Sequence, residues 1–168
     1  MIKLAIGAVI VVVAGVAWLR TQWAMDKNKR AAHKLIEGLK SGALTVASFE
    51  ESLGMLIRVR QLPENIHIAS FSHKLTELTN TKLLEKFTVH YVTINDNNKG
   101  IVIAEAVKKD TVSVASNKET DIIYPCWLYL EIIPSQREIC FRSSMPDGKD
   151  HHHLLEDISD AIYEQCLK

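Results

Sequence analysis

Asp150, His151, His152 and His153 stand in a row inside the stretch Asp147-Gly148-Lys149-Asp150-His151-His152-His153. Neutral imidazoles and carboxylates are ligands for first-row divalent metals, so this run is where a metal-dependent hydrolase or nuclease would be sought. Helical spacing argues against it. Successive residues on a helix point about 100° apart, so three adjacent histidines do not converge on one ion. A full ligand shell would need His67, His73 or His90, which the sequence alone does not bring near. The plainer expectation is a polar helix start with exposed imidazoles, and no metal or other cofactor is expected.

The remaining polar pairs are thinner. Ser70, Ser72 and His73 have no acidic neighbour and no nucleophile-elbow glycines, so acyl-transfer chemistry is not supported. His90 sits among apolar neighbours in a strand-like run, where a satisfied, half-buried imidazole is expected rather than a general base. Arg60 and His67 have a spacing similar to that of HEPN-type ribonucleases, in which such a pair handles a phosphate and a proton. Pro63 interrupts the spacing, and the second half of the chain is patterned for strands rather than helices. No phosphate-binding loop, dinucleotide fingerprint, HExxH or EF-hand loop occurs. Cys126, Cys140 and Cys166 are odd in number and widely spaced, which fits buried thiols better than a disulfide framework or a zinc site.

Trp127 and Tyr129 alternate with Leu128 and Leu130, so the aromatics share one face of a strand and the leucines the other. That face is expected either to meet a partner or to pack beneath an N-terminal helical segment.

Behind these residues stand the elements that must position them. Ile2 to Leu19 reads IKLAIGAVIVVVAGVAWL, with Lys3 its only charge. Eighteen residues at about 1.5 Å each span roughly 27 Å, near the thickness of a bilayer's hydrocarbon core. The segment therefore reads as a single transmembrane anchor, with Trp18 and Trp23 suited to one interface. A cleaved signal peptide is the competing reading, with Gly15-Val16-Ala17 as its site, but a lone lysine makes a poor n-region. Gly7, Ala8, Ala14 and Gly15 form a small-residue stripe along which two such helices could approach closely.

Formal net charge is zero overall, but residues 20–42 carry +4 and residues 43–168 carry −5. The cationic flank beyond the anchor places the soluble part in the cytoplasm, at the inner face of a cell membrane, by the positive-inside rule. The acidic body argues against nucleic acid as a partner, since phosphate binding needs clustered cations.

Residues 26–41 are expected to form an amphipathic helix with Leu35 and Leu39 inward, ended by Ser41-Gly42. A second helix is expected from Ser48, with Glu51 completing a capping box and Phe49, Leu53, Leu56 and Ile57 on one face. This run, KLIEGLKSGALTVASFEESLGMLI (Lys34–Ile57), resembles the short C-terminal domain, or SHOCT, family. Leu35, Leu39, Gly42, Leu44, Thr45, Phe49 and Leu56 match its pattern. Ser48 and Ser52 stand where the family has Glu and Lys, and the segment lies mid-chain. The resemblance implies an oligomerisation or interaction module rather than an enzyme.

Pro63 opens a less regular stretch, with Phe71, Leu75 and Leu78 fitting a short helix. From Phe87 the apolar period changes to two. Strands are expected over Phe87–Ile94, Ile101–Val107, Thr111–Ser116, Ile122–Ile133 and Arg137–Ser143. A last helix is expected over His151–Leu167, capped by Asp150, with Leu154, Leu155, Ile158, Ala161 and Ile162 buried.

The fold class read from this pattern is α+β: an anchor (1–20), a juxtamembrane helical hairpin (21–62), and an α+β part (63–168). In the last, an antiparallel sheet of four to five strands is covered by the C-terminal helix. The expected role is a non-enzymatic, single-pass membrane protein that binds a protein partner or assembles with itself. Trp127, Tyr129, Leu35, Leu39, Phe49 and Leu53 are its candidate contacts. The alternatives are a membrane-tethered hydrolase using His151–His153 and an exported subunit of an envelope machine.

Overall fold

The computed structural model describes residues 27, 29–50, 54–111, 119–143 and 149–168. The anchor Ile2–Leu19, its stripe Gly7, Ala8, Ala14 and Gly15, and Leu53 lie outside the described residues. Among the described residues no helix is long and apolar enough to cross a membrane.

The chain is α+β, built on one six-stranded antiparallel sheet. A helix α1 (29–41) leads through a turn into a short α2 (Ala47–Glu50). Strand β1 (Met55–Gln61), helix α3 (Ile68–Glu77) and strands β2 (Thr81–Leu83), β3 (Phe87–Ile94), β4 (Lys99–Thr111), β5 (Glu119–Ile133) and β6 (Glu138–Ser143) follow. Helix α4 (Lys149–Leu167) closes the order. The strands lie β1-β6-β5-β4-β3-β2, so β2 to β6 form a meander and β1 returns beside the last of them.

Two apolar clusters cover the two faces of the sheet. The larger puts Val89, Val102, Ala104, Leu128, Leu130, Ile139 and Phe141 against α3 (Phe71, Leu75) and α4 (Leu155, Ile158, Ile162). The smaller puts Ile101, Ile103 and Tyr129 under Val46 and Phe49, with Leu35, Ile36 and Leu39 of α1 packed around them. Alternation along β4 and β5 feeds both clusters at once, which is why these central strands read as nearly continuous apolar runs. Each fully buried Leu, Ile or Phe contributes about 1.5–3 kcal/mol over exposure, so the sheet and α4 carry most of the stability.

Local chemistry explains the joints. Gly42 ends α1 at φ +76°, a left-handed conformation that favours glycine, and the Leu44 N–H returns to the Gly38 carbonyl at 2.9 Å. The β3–β4 turn is built on Asn95, whose Oδ1 accepts N–H bonds from Asn97 (3.0 Å) and Lys99 (3.1 Å). Arg137, at φ 52° in the β5–β6 turn, donates its Nη2 to the carbonyls of Pro63 (2.6 Å) and Ile66 (2.7 Å). It thereby fastens the β1–α3 loop.

Four expectations are corrected. The second helix stops at Glu50 among the described residues, and Leu56 and Ile57 belong instead to strand β1. The helical spacing of Phe49, Leu56 and Ile57 competed with the β-branched alternation of Ile57 and Val59 between arginines, and pairing with β6 decides for the strand. The sheet has six strands rather than four or five, because β1 and the three-residue β2 join its two ends. Strand β4 runs unbroken to Thr111 and pairs with β5 out to Glu119. Beyond Ala106 it pairs with β5 alone among the described residues. Residues 112–116 of the expected Thr111–Ser116 strand lie outside the described residues. Asp150 lies within α4 rather than capping it.

Candidate interaction surface

The aromatic pair singled out in the sequence is covered. Tyr129 is buried at 2% exposure and Trp127 is half-buried, its ring 5.7 Å from Phe49 in an edge-to-face contact. Leu35 and Leu39 of α1 complete the cover, half-buried themselves. Of the residues behind the SHOCT resemblance, Leu35, Leu39, Gly42, Leu44, Thr45 and Phe49 lie in this α1–α2 segment, and Leu56 lies on β1.

A polar latch fixes the segment to the sheet. Glu50 Oε1 accepts from Lys99 Nζ at 2.5 Å and from Tyr129 Oη at 3.1 Å. The bond from Lys99, then that from Tyr129, holds the Glu50 carboxyl below its ordinary value. Burial, then the carboxylate beside it, pushes the Tyr129 phenol well up, so it stays a protonated donor. Lys40 lies 5.6 Å above the Tyr91 ring and adds a cation–π contact.

The second polar cluster joins β1 to α4. Arg58 grips Asp160 with two parallel bonds, Nε to Oδ1 at 3.1 Å and Nη2 to Oδ2 at 2.7 Å, and reaches Glu156 Oε1 with Nη1 at 3.2 Å. Arg60 donates to the same Asp160 Oδ1 from Nε (2.9 Å) and Nη2 (2.7 Å). Partial burial favours the neutral acid at Asp160, but the two guanidinium groups together outweigh it and the carboxyl is lowered. Tyr163 Oη donates to the Gln61 carbonyl at the end of the strand.

The histidines are spread rather than gathered. His152 Nε2 lies 3.6 Å from Glu156 Oε1, and the exposed His153 places Nδ1 3.2 Å from Glu156 Oε2. Glu156 is thus engaged by both imidazoles and by Arg58. The side chains of Asp150 and His151 lie outside the described residues. His90 pairs with Glu105 across β3 and β4 at 3.0 Å, His73 with Glu77 on α3 at 3.4 Å, and His67 is exposed just before α3. Among the described residues no three His, Cys, Asp or Glu side chains are grouped to hold a metal ion. Arg60 lies on a strand and is committed to Asp160, away from the helical setting that a ribonuclease-like pair with His67 would need.

All three cysteines are free and buried. Cys126 shares the α3–α4 face with Leu128 and Leu130, whereas Cys140 stands opposite Glu131 on the other face, so no bridge joins them. Burial pushes the Cys126 thiol up to about 12, with Glu105 adding to the effect, and burial pushes Cys166 up to about 12 as well. Neither is an available nucleophile near neutral pH.

What remains open is the outer strand. Met55, Leu56 and Val59 of β1 are 46%, 47% and 41% exposed, three of the five large apolar side chains most open to solvent among the described residues. No further strand lies beyond β1 among the described residues. Sequence reasoning missed this surface because it read Leu56 as helical. The signal that could have found it was Ile57-Arg58-Val59-Arg60, an apolar–cation alternation matched by Glu156 and Asp160 four apart on α4.

Compared with protein-family models, with curated proteins and with solved structures, the chain matches none of them.

Proposed function

We propose that this chain is a non-enzymatic, membrane-tethered interaction subunit. The segment Ile2–Leu19 anchors it in a cell membrane, and the α+β part, held at the cytoplasmic face, assembles with a protein partner. The observation that supports this reading is the edge strand β1, on which Met55, Leu56 and Val59 are exposed, while the central apolar residues on both faces of the sheet are covered by α1–α2 and by α3 and α4. An edge strand with exposed apolar side chains offers unpaired backbone groups to another chain, and here the two arginines that would blunt it are neutralised by Asp160 and Glu156. The polar clusters favour the same reading. Arg58, Arg60, Glu156 and Asp160 are spent on one another, and Glu50, Lys99 and Tyr129 latch the α1–α2 segment.

The test is purification of the full-length chain from its native membrane in mild detergent, with the intact particle's mass measured. A discrete complex larger than one chain is expected. A monodisperse single chain that carries no partner would overturn the proposal. In that case replacement of His151–His153 by alanine, with metal content measured, becomes the informative experiment.

A further inference from the structure

Strand β1 carries an irregularity with an effect on both of its faces. The pairing with β6 shifts register between Leu56 and Arg58, so that Leu56 faces Arg142 and Arg58 faces Phe141. This bulge places Arg58 and Arg60 together on the α4 side of the sheet, where Asp160 and Glu156 neutralise them. It leaves Leu56 and Val59 together on the opposite side, where Val59 stands beside Cys140. Charges on an edge strand ordinarily repel an approaching edge. Here two cations are balanced by two carboxylates of the same subunit, and the other side is apolar.

The open part of this edge is also bounded. Tyr163 occupies the Gln61 carbonyl, so the free run is Met55–Arg60, and its midpoint falls between Ile57 and Arg58. An antiparallel neighbour related by a two-fold axis at that midpoint would set Leu56 against Val59, Met55 against Arg60 and Ile57 against Arg58. In every one of these pairs the two residues lie on the same side of the sheet, as cross-strand neighbours must. No arginine faces an arginine. The first half of the run, Met-Leu-Ile, is apolar, and the second, Arg-Val-Arg, carries the cations, so in this register each arginine faces an apolar residue rather than its own copy, and Leu56 meets Val59 as an apolar pair.

We propose that β1 pairs antiparallel with β1 of a second copy of this chain about that midpoint, joining two six-stranded sheets into one. The inference rests on the membrane-tethered interaction reading above and names the partner in it. A six-residue strand pairing is a small contact. Confinement of both copies to one bilayer by Ile2–Leu19 supplies the effective concentration that it needs.

The experiment uses the full-length chain in detergent and in vesicles of neutral phospholipid. Two variants, Leu56→Cys and Val59→Cys, are each made with Cys140→Ser, because Cys140 would otherwise compete for a cysteine at 59, while the native Cys126 and Cys166 stay buried beneath α3 and α4. When the two are mixed and oxidised, a disulfide-linked dimer is expected, since opposed positions lie about 5 Å apart between Cβ atoms. Leu56→Cys alone is expected to give none, its symmetry mate being three residue pairs away. Val59→Lys, at an exposed position that leaves the core intact, is expected to weaken dimerisation at least tenfold by analytical ultracentrifugation. A dimer that tolerates Val59→Lys, or one that crosslinks through Leu56→Cys alone, overturns the proposal. A particle holding one copy of this chain and a different protein also overturns it while leaving the interaction reading standing. A lone monomer overturns both.

Discussion

Arg58 on β1 and Asp160 on α4, 102 residues apart in the chain, meet in a two-pronged pair at 2.7 and 3.1 Å. The pair matters because among the described residues β1 is joined to the sheet on one side only, and α4 is the element that packs against it from above. Arg60 adds a second guanidinium to the same carboxylate.

Replacing Asp160 by asparagine keeps the shape, removes the charge, leaves Arg60 without a carboxylate and leaves Arg58 with Glu156 alone. A loss of about 1–3 kcal/mol is expected, measured as a lower urea midpoint, the pair being partly open to solvent. The pH dependence has a definite sign. Asp160 is lowered in the folded chain, so its contribution is present above the unfolded value of 3.8 and is lost as pH falls through the lower folded value. The asparagine variant is expected to lose that acid-side slope. An unchanged slope would show that Asp160 is not what the arginines hold.

Glu50 makes the same argument for the α1–α2 segment. Its carboxyl lies below the ordinary value of 4.5 because Lys99, then Tyr129, donates to it. The latch is therefore present above pH 4.5 and is lost as pH falls through the lower folded value. Hydrogen exchange of the α1 amides is expected to accelerate on that acidification, while β4 and β5 stay protected. Phe49→Ala, which removes the ring packed on Trp127, is expected to free α1 at neutral pH at a cost of about 3 kcal/mol. Exchange in α1 and β5 rising together in that variant would mean that the segment is integral to the core.

Much of this arrangement was legible in the residues, for particular reasons. The stripe of α4 has one solvated face and one packed face, so its period is clean, and Leu155, Ile158, Ala161 and Ile162 stand buried as expected, while β3 was marked by its β-branched and aromatic residues despite a bulge between Val89 and Tyr91. Gly42 marked the end of α1, and the Asn95–Gly100 run marked the β3–β4 turn. Strand β1 was misread because Phe49, Leu56 and Ile57 also fit a helical face and the short alternation Ile57–Arg60 did not outweigh it, while its bulge, a property of pairing with β6, leaves no mark in the sequence. The ion cluster was hidden for a related reason. Arg58 and Asp160 become neighbours only when the last helix folds back over the first strand.

The thiols give a chemical check on the two faces. Cys126 and Cys166, with pKa values pushed up to about 12 by burial, are expected to resist a thiol reagent at pH 8 until the chain is unfolded. Cys140, at 9% exposure on the side of the sheet that bears Val59, is expected to react first. Mass spectrometry after timed alkylation reads the order. Early labelling of Cys126 would mean that α3 and α4 do not cover its face as described.

Gly100 and Asn98 sit two residues apart and are expected to respond oppositely to the same change. A Cβ on Gly100 would lie 2.6 Å from the Thr93 carbonyl oxygen and 3.2 Å from a Leu130 methyl, and the first of these is backbone that cannot swing away. Gly100→Ala must push β3 from β4 at the turn, at a cost of about 3 kcal/mol, the upper range for overpacking. Asn98 lies at φ 60° in the β3–β4 turn, where its side chain tolerates the left-handed conformation and a glycine adopts it freely. Asn98→Gly is therefore expected to be within about 0.5 kcal/mol of the native chain, and Asn98→Ala to cost about 1 kcal/mol. Thermal unfolding of the three variants side by side separates the two causes, since a clash at residue 100 and a backbone preference at residue 98 share the turn but not the mechanism. A Gly100→Ala chain as stable as the native one would place the β4 backbone farther from Thr93 than the 2.6 Å approach requires.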